Sequence, residues 1–198
     1  MVDEGPKAYV AHQLKPYVEQ AKAARDIANE YLPCLLHAKD NAEDCQISSN
    51  GKSNKEGSYA ALIDGDINTY FHATWTDQTD ENLNLQFDLV TPIQKAYFTF
   101  VPRQSTYLDF PTNVVIYGTN QEELGTNPAS SSSEWTQIIT IDKGFPTAAN
   151  QRYTSPKFTF DQPYRYLRMV VYKTYSNRTN SATGYPFFTL SEYQIYNA

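Results

Sequence analysis

Seven short runs of β-branched and aromatic residues, at 82–89, 93–101, 113–119, 135–141, 157–160, 166–172 and 187–196, govern what most of this chain can fold into. Each is closed off by Gly, Pro, Asn or Ser, and no helical pattern separates them. In Leu83-Asn84-Leu85-Gln86-Phe87-Asp88-Leu89 the apolar residues alternate with polar ones, so one strand face can meet a core while the other looks outward. Short strands joined by irregular loops predict a mainly β protein, an antiparallel sandwich or jelly roll. Sixteen tyrosines and 14% aromatic residues fit that class.

Residues 1–45 carry a different period. Val10, Leu14, Tyr17, Ala21, Ala24, Ala28, Tyr31 and Leu35 are spaced by alternating steps of four and three, the stripe of a helix. Pro16 suits a first helical turn but not a helix interior, which predicts a short helix to Leu14 and a longer one from Pro16 to Leu32, stopped by Pro33. The expectation is an N-terminal helical segment or linker over 1–45, packed on its own chain, followed by the β-sandwich over 46–198. Cys34 and Cys45 stand either as a disulfide, worth roughly 2–4 kcal/mol, or as two free thiols. With only His37 near them they lack the ligands for zinc. Met1 to Pro6 has neither a basic start nor an apolar run, and no segment reads as a membrane-spanning helix. The expectation is a cytosolic protein, or an exported one whose signal has been removed.

Three connections read as surface loops. Residues 121–134, with Asn-Pro and four consecutive serines, have the composition of a flexible loop. Residues 144–154 form the second. Residues 175–186 form the third, leading into Phe187 and Phe188, and loops on a rigid scaffold are where binding residues gather. Asn177-Arg178-Thr179 matches a glycosylation sequon, a frequent chance pattern. The net charge of −6 weighs against nucleic acid and against an anionic membrane, both of which draw affinity from Lys and Arg.

The stretch from Asp64 to Trp75 concentrates the chemistry. Asp64, Asp66, Asn68 and Thr69 are hard oxygen donors on a tight turn through Gly65, a set that suits calcium. From spacing alone, Asp and Asn capping a turn is the simpler reading. No helices frame the segment and no glutamate stands at the twelfth position, so it is not an EF-hand.

Ala61-Leu62-Ile63-Asp64-Gly65-Asp66-Ile67-Asn68-Thr69-Tyr70-Phe71-His72 resembles the early signature of the coagulation factor 5/8 type C, or discoidin, domains. Leu85-Gln86-Phe87-Asp88-Leu89, Val101-Pro102-Arg103-Gln104, Val115-Ile116-Tyr117-Gly118-Thr119-Asn120 and Leu190-Ser191-Glu192-Tyr193-Gln194-Ile195-Tyr196 follow in the family's order, so the likeness covers residues 46–198. The resemblance implies a jelly-roll β-sandwich of the galactose-binding-like type and a structural calcium ion. Its ligands would be Asp64 and Glu192 by carboxylate, Thr69 by hydroxyl, and Ala61 and Asp66 by backbone carbonyls. The branch similar to carbohydrate-binding module family 32 pairs a histidine and a tryptophan three residues apart with an arginine from the Pro-Arg turn. His72, Trp75 and Arg103 occupy those places, and Phe71 replaces that family's usual tryptophan. The branch's sugar-binding asparagine has no clear counterpart, since Asn113 falls in a strand; Tyr107, Asp109 or Tyr185 would substitute.

The resemblance thus implies a secreted or cell-surface, non-catalytic module of a larger bacterial chain with flanking domains, binding a galactose-type sugar on a glycan through His72, Trp75, Arg103, Tyr107 and Tyr185. The alternatives are an adhesion domain that binds protein and a fragment of a glycoside hydrolase. Against the hydrolase, carboxylates that clasp a metal cannot also serve as acid and base.

Overall fold

The computed structural model describes residues 47–198; the expected N-terminal helices, Cys34 and Cys45 lie outside the described residues. In chain order come β1 (Ile47–Ser48), a 3-10 turn (Ala60–Leu62), β2 (Phe71–His72), β3 (Asn84–Pro102), β4 (Pro111–Thr119), α1 (Glu122–Gly125), a second 3-10 turn (Ser132–Glu134), β5 (Thr136–Ile141), β6 (Tyr153–Thr154), β7 (Phe158–Thr174) and β8 (Thr189–Asn197). Every strand pairing among them is antiparallel.

Four of the runs expected from sequence are halves of two long strands. The runs at 82–89 and 93–101 join as β3, and those at 157–160 and 166–172 join as β7. The polar punctuation between the halves marks a bend rather than an end. The β3–β7 register shifts between Asp88 and Ile93 and again before Lys95, and Val90 sits at φ 60. A β-branched residue is strained there, and a bulge with a left-handed residue turns the strand through a corner. The first half of β3 therefore pairs with β1 and with the β7–β4–β5 ladder, while its second half stays paired with β7 through Ala96 and adds β6 and β8, beyond which lies β2. The two sheets of the sandwich share these bent strands.

Leu85, Phe87 and Leu89 of β3, Val114 and Ile116 of β4, Leu167, Met169 and Val171 of β7 and Tyr193 and Ile195 of β8 join the main core. Phe87 stacks on Tyr193 at 4.7 Å between centroids, and Tyr193 on Phe98 at 5.4 Å. Such pairs add about 0.5–1.5 kcal/mol beyond the area they bury. The alternate residues, Asn84, Gln86, Val115, Tyr117, Tyr166, Arg168 and Val170, occupy the other face of the same strands and are buried as well. Val115, Tyr117, Trp135, Tyr166 and Val170 form a second cluster with Leu124.

What covers them is the segment 121–135, and this corrects its reading as a flexible loop. Arg168, with 0% exposure, reaches up from β7 and donates to Gln86 Oε1 at 2.6 and 3.0 Å, Ser130 O at 2.7 Å, Ser130 Oγ at 2.7 Å and Asn127 O at 3.1 Å. Its guanidinium carbon lies 4.1 Å from the Trp135 ring centre. Asn84 Nδ2 donates to Pro128 O at 3.1 Å, and Glu81 accepts from Ser131 Oγ at 2.6 Å and Ser132 N at 2.9 Å. Serine-rich composition predicts flexibility when carbonyls face water; here they face a buried arginine from a distant strand.

Candidate functional site

At one end of the sandwich, the turn from 60 to 69 meets the final strand. The Ala60–Leu62 turn, with Ala61 buried, packs against β8, and Ser191 Oγ donates to Ile67 O at 2.9 Å. Gly65 takes φ +78, a conformation open to glycine at no steric cost. Asp64 Oδ1 accepts from Asp66 N at 2.8 Å, and the Thr69 hydroxyl lies 2.7 Å from Asp64 Oδ2 and 2.9 Å from Asp66 O. Asp66 Oδ1 is taken by Asn68 N at 2.9 Å and Asn68 Nδ2 at 2.8 Å, which turns that carboxylate away from the donor group.

Glu192 of β8 stands beside Asp64 with 3% exposure, and neither of its carboxylate oxygens has a hydrogen-bond partner. The Gly65 N–H favours its charged form without completing an ordinary hydrogen bond. Burial first, then the Asp64 charge, push this carboxyl up to about 7. A buried carboxylate without a partner beside a second carboxylate is costly unless a cation joins them. Among the described residues no three acidic, His or Cys side chains form a metal cluster. The donors gathered here are two carboxylates, a hydroxyl and carbonyl oxygens, a mixture that fits calcium rather than a softer ion.

A cleft of about 370 Å³ opens nearby, lined by Glu56, His72, Trp75, Arg103, Tyr107, Asp109, Arg178 and Phe187 among others. Its walls are the loops after β1, β2, β3 and β7, the last of them tied to the β2 loop by side chains. Buried Asn180 donates from Nδ2 to Thr74 O and Asp77 O, each at 3.1 Å, and Ser181 N and Oγ donate to Trp75 O at 3.0 and 3.2 Å. His72 is 6% exposed, stacks on Phe187 at 5.8 Å and tilts against Trp75 at 4.5 Å. Its Nδ1 lies 2.6 Å from Ala73 O; a carbonyl only accepts, so that nitrogen carries a proton. Burial holds the ring below its ordinary pKa, against the Ala73 carbonyl and Glu56. The neutral ring leaves Nε2 as an acceptor, 3.4 Å from Glu56 Oε1, which also accepts. Two acceptors side by side at a cleft floor make a place for a hydroxyl donor.

Arg103 lies 3.7 Å from Glu56 Oε2 and 3.4 Å above the Tyr70 ring. Asp109, 4% exposed, is held by Arg178 Nη1 at 3.0 Å and by the Ser176 hydroxyl. Arg178 in turn covers Tyr107 at 4.4 Å and Phe187 at 5.1 Å. The cleft therefore brings together His72, Trp75, Arg103, Tyr107 and Asp109, as expected, and adds Glu56, Arg178 and Phe187, which sequence reasoning missed. Tyr185 is the correction: its hydroxyl donates to Asp80 O at 3.3 Å and its ring lines a different cleft. The bonds of Asn180 fix the course of the 175–188 loop and send Tyr185 and Phe187 to different clefts. Asn113 lies in β4, as expected.

No protein-family model matches the sequence, and no curated protein matches it. Solved structures do match by shape. A family 32 carbohydrate-binding module from a family 31 glycoside hydrolase of Clostridium perfringens aligns with a TM-score of 0.56 at 17% identity, over 77% of this chain and 92% of that one. A second C. perfringens module, in complex with GalNAc-beta-1,3-galactose, gives 0.53 at 14% identity, over 75% and 92%. The paired family 32 modules of C. perfringens ZmpB give 0.58 at 16% identity, over 89% of this chain and 38% of theirs. With its bent shared strands and loop-end cleft, the described chain has the galactose-binding-like β-sandwich fold of the family 32 carbohydrate-binding modules.

Proposed function

We propose that this protein is a non-catalytic carbohydrate-binding module whose loop-end cleft takes a galactose-type sugar, and whose 64–69 turn and Glu192 hold a structural calcium ion. The observation that carries the sugar reading is the convergence of His72, Trp75, Phe187, Glu56 and Arg103 in one cleft. Aromatic rings meet the C–H face of a pyranose, while paired acceptors and an arginine meet its hydroxyls. The sugar-bearing partner of one structural neighbour points the same way. The two cleft carboxylates, Glu56 and Asp109, are each engaged by an arginine and a hydroxyl, an arrangement for orienting ligands rather than for moving protons. Calcium would link the Asp64 and Thr69 oxygens and the carbonyls of Ala61 and Asp66 to Glu192, pinning the loop from which His72 and Trp75 project.

Titration with galactose and N-acetylgalactosamine is expected to give a Kd on the order of 0.1–1 mM, because a shallow site buries little area. Trp75→Ala should weaken binding at least about tenfold with an unchanged far-ultraviolet dichroism spectrum. If neither sugar binds, or the variant binds as well as its parent, the sugar reading fails.

Acidity supplies a second check. Protonation of His72 removes the Nε2 acceptor and closes an ion pair with Glu56, so affinity at saturating calcium should fall as pH drops through the depressed pKa of His72. The same sign holds for stability. The unfolded chain binds the His72 proton more readily than the folded one, so this residue's contribution is lost as pH falls below its ordinary value of 6.5. An affinity that rises as the pH falls below neutral would remove the His72 acceptor from the site.

A further inference from the structure

We infer that the outer face of β7, β4 and β5 carries a second saccharide-binding cleft, built by Glu81, Tyr117, Gln137, Tyr172 and Tyr185 and selective for sugars without an anionic group. The cleft measures about 460 Å³, larger than the about 370 Å³ of the loop-end site, and shares none of that site's lining residues. Both volumes fall in the range of small-ligand sites, roughly 300–1,000 Å³.

Its chemistry is aromatic with convergent polar groups. Tyr172 is 39% exposed, and its hydroxyl lies 3.3 Å from that of Tyr117, whose ring packs in the second cluster. Tyr185 forms another wall and is anchored through its hydroxyl to Asp80 O. The exposed Gln137 amide donates one N–H to Thr140 Oγ1 at 3.3 Å and offers its second N–H and its carbonyl oxygen. Each Glu81 oxygen accepts one hydrogen bond, from Ser131 Oγ or Ser132 N, and retains a free lone pair for a hydroxyl. This is the pairing a pyranose needs: a ring to cover its C–H face and fixed acceptors for its edge.

The charge selects the class of sugar. Glu81 is the one ionisable carboxylate among the lining side chains, and its serine partners hold it below the ordinary carboxylate range despite burial. Arg168 is spent beneath the floor, fully buried against Trp135, so no cation among the described residues lines the cleft. A carboxylated or sulfated sugar would meet repulsion without a compensating guanidinium.

The cleft is also pre-organised. Trp135, 5% exposed, is clamped between the guanidinium of Arg168 and the Ser130 hydroxyl, to which its indole N–H donates at 3.2 Å. The hydrogen bonds from Arg168, Gln86 and Asn84 hold residues 124–132 against the sheet, and so hold Glu81, Ser132 and Ser133 at the rim. A supporting shell of this kind fixes side chains before a ligand arrives and lowers the entropy lost on binding.

The test uses amide chemical shifts of the Trp75→Ala variant, in which the loop-end site is disabled. Methyl β-galactopyranoside, methyl β-glucopyranoside, N-acetylglucosamine and glucuronate are titrated separately. At least one of the three uncharged probes is expected to shift the Tyr172, Gln137 and Tyr185 resonances with a Kd on the order of 1–10 mM, as befits a single shallow site. Tyr172→Ala and Gln137→Ala alter exposed side chains that the core does not need, and each should weaken that response by about tenfold or more. The inference is overturned if no uncharged probe shifts these residues, if the response survives both substitutions, or if glucuronate binds as well as the uncharged sugars. Loss of loop-end binding alone leaves this expectation standing, because Trp75 plays no part in it.

Discussion

Arg168→Met is expected to destabilise the folded protein by about 3–5 kcal/mol, the usual penalty for breaking a buried charged network. Methionine keeps the contact with Trp135 and most of the volume, so the loss isolates the guanidinium. Gln86 Oε1 and Ser130 O would each be left in the interior without a donor, while Asn127 O would keep those of Ser130. An unpaired buried acceptor costs roughly 1–3 kcal/mol, which makes partial rescue by local water insufficient. Burial pulls the Arg168 guanidinium down to about 10, still charged at neutral pH, so the native network is made by the cation. Urea denaturation measures the effect, and limited proteolysis locates it: new cleavage should fall within residues 121–134. Arg168→Lys, which keeps charge but reaches fewer acceptors, should fall between the two. If Arg168→Met is as stable as the parent, this network does not hold the segment down.

Removal of the proposed calcium ion is expected to give the second large effect. At a free concentration about a thousandfold above its Kd, a ligand that binds only the folded state stabilises by about 4 kcal/mol. For a domain of this size that corresponds to roughly 8–16 °C in Tm. Thermal unfolding with calcium and with excess chelator should differ by this order, and Glu192→Gln should abolish the difference. Equal melting points would overturn the calcium proposal. The pH dependence of the metal-free protein adds a signature. Because the Glu192 carboxyl is pushed from 4.5 to about 7, the folded state keeps a proton that the unfolded chain releases in that interval. Metal-free stability should therefore fall as pH rises from about 4.5 to about 7, by on the order of 3 kcal/mol. With calcium bound, the ion's charge replaces the proton and that decline should disappear.

Much of the sandwich is legible as alternation, because a core on one side of a strand leaves a period of two in the residues. The 64–69 turn is legible too, since its Asp, Asn and Thr side chains are contiguous and bond within it, the capping that spacing alone suggests. Glu56, Arg178 and Phe187 are not, because the loop after β1 and the loop after β7 lie far apart in sequence and only folding brings them together. Alternation also misleads at Asn84 and Gln86, which are polar yet buried under residues 121–135. Their partners there are backbone carbonyls, and a carbonyl leaves no mark on residue type. The strand breaks expected near 90 and 162 fail for a related reason: polar residues punctuate a bend as readily as a turn, and only the pairing partners distinguish them.

The pairing of β2 with β8, which sets Phe71 opposite Leu190 and His72 opposite Thr189, has a consequence for biosynthesis. Asp64, His72 and Trp75 leave the ribosome long before Arg178, Phe187 and Glu192 are made, by roughly ten seconds at about 5–20 residues per second. Through that interval the acidic turn and the aromatic pair exist without the strand that packs beside one and the loop that walls the other. On the proposed function, a nascent chain would be inert toward sugar, and recognition would switch on only when the last strand docks.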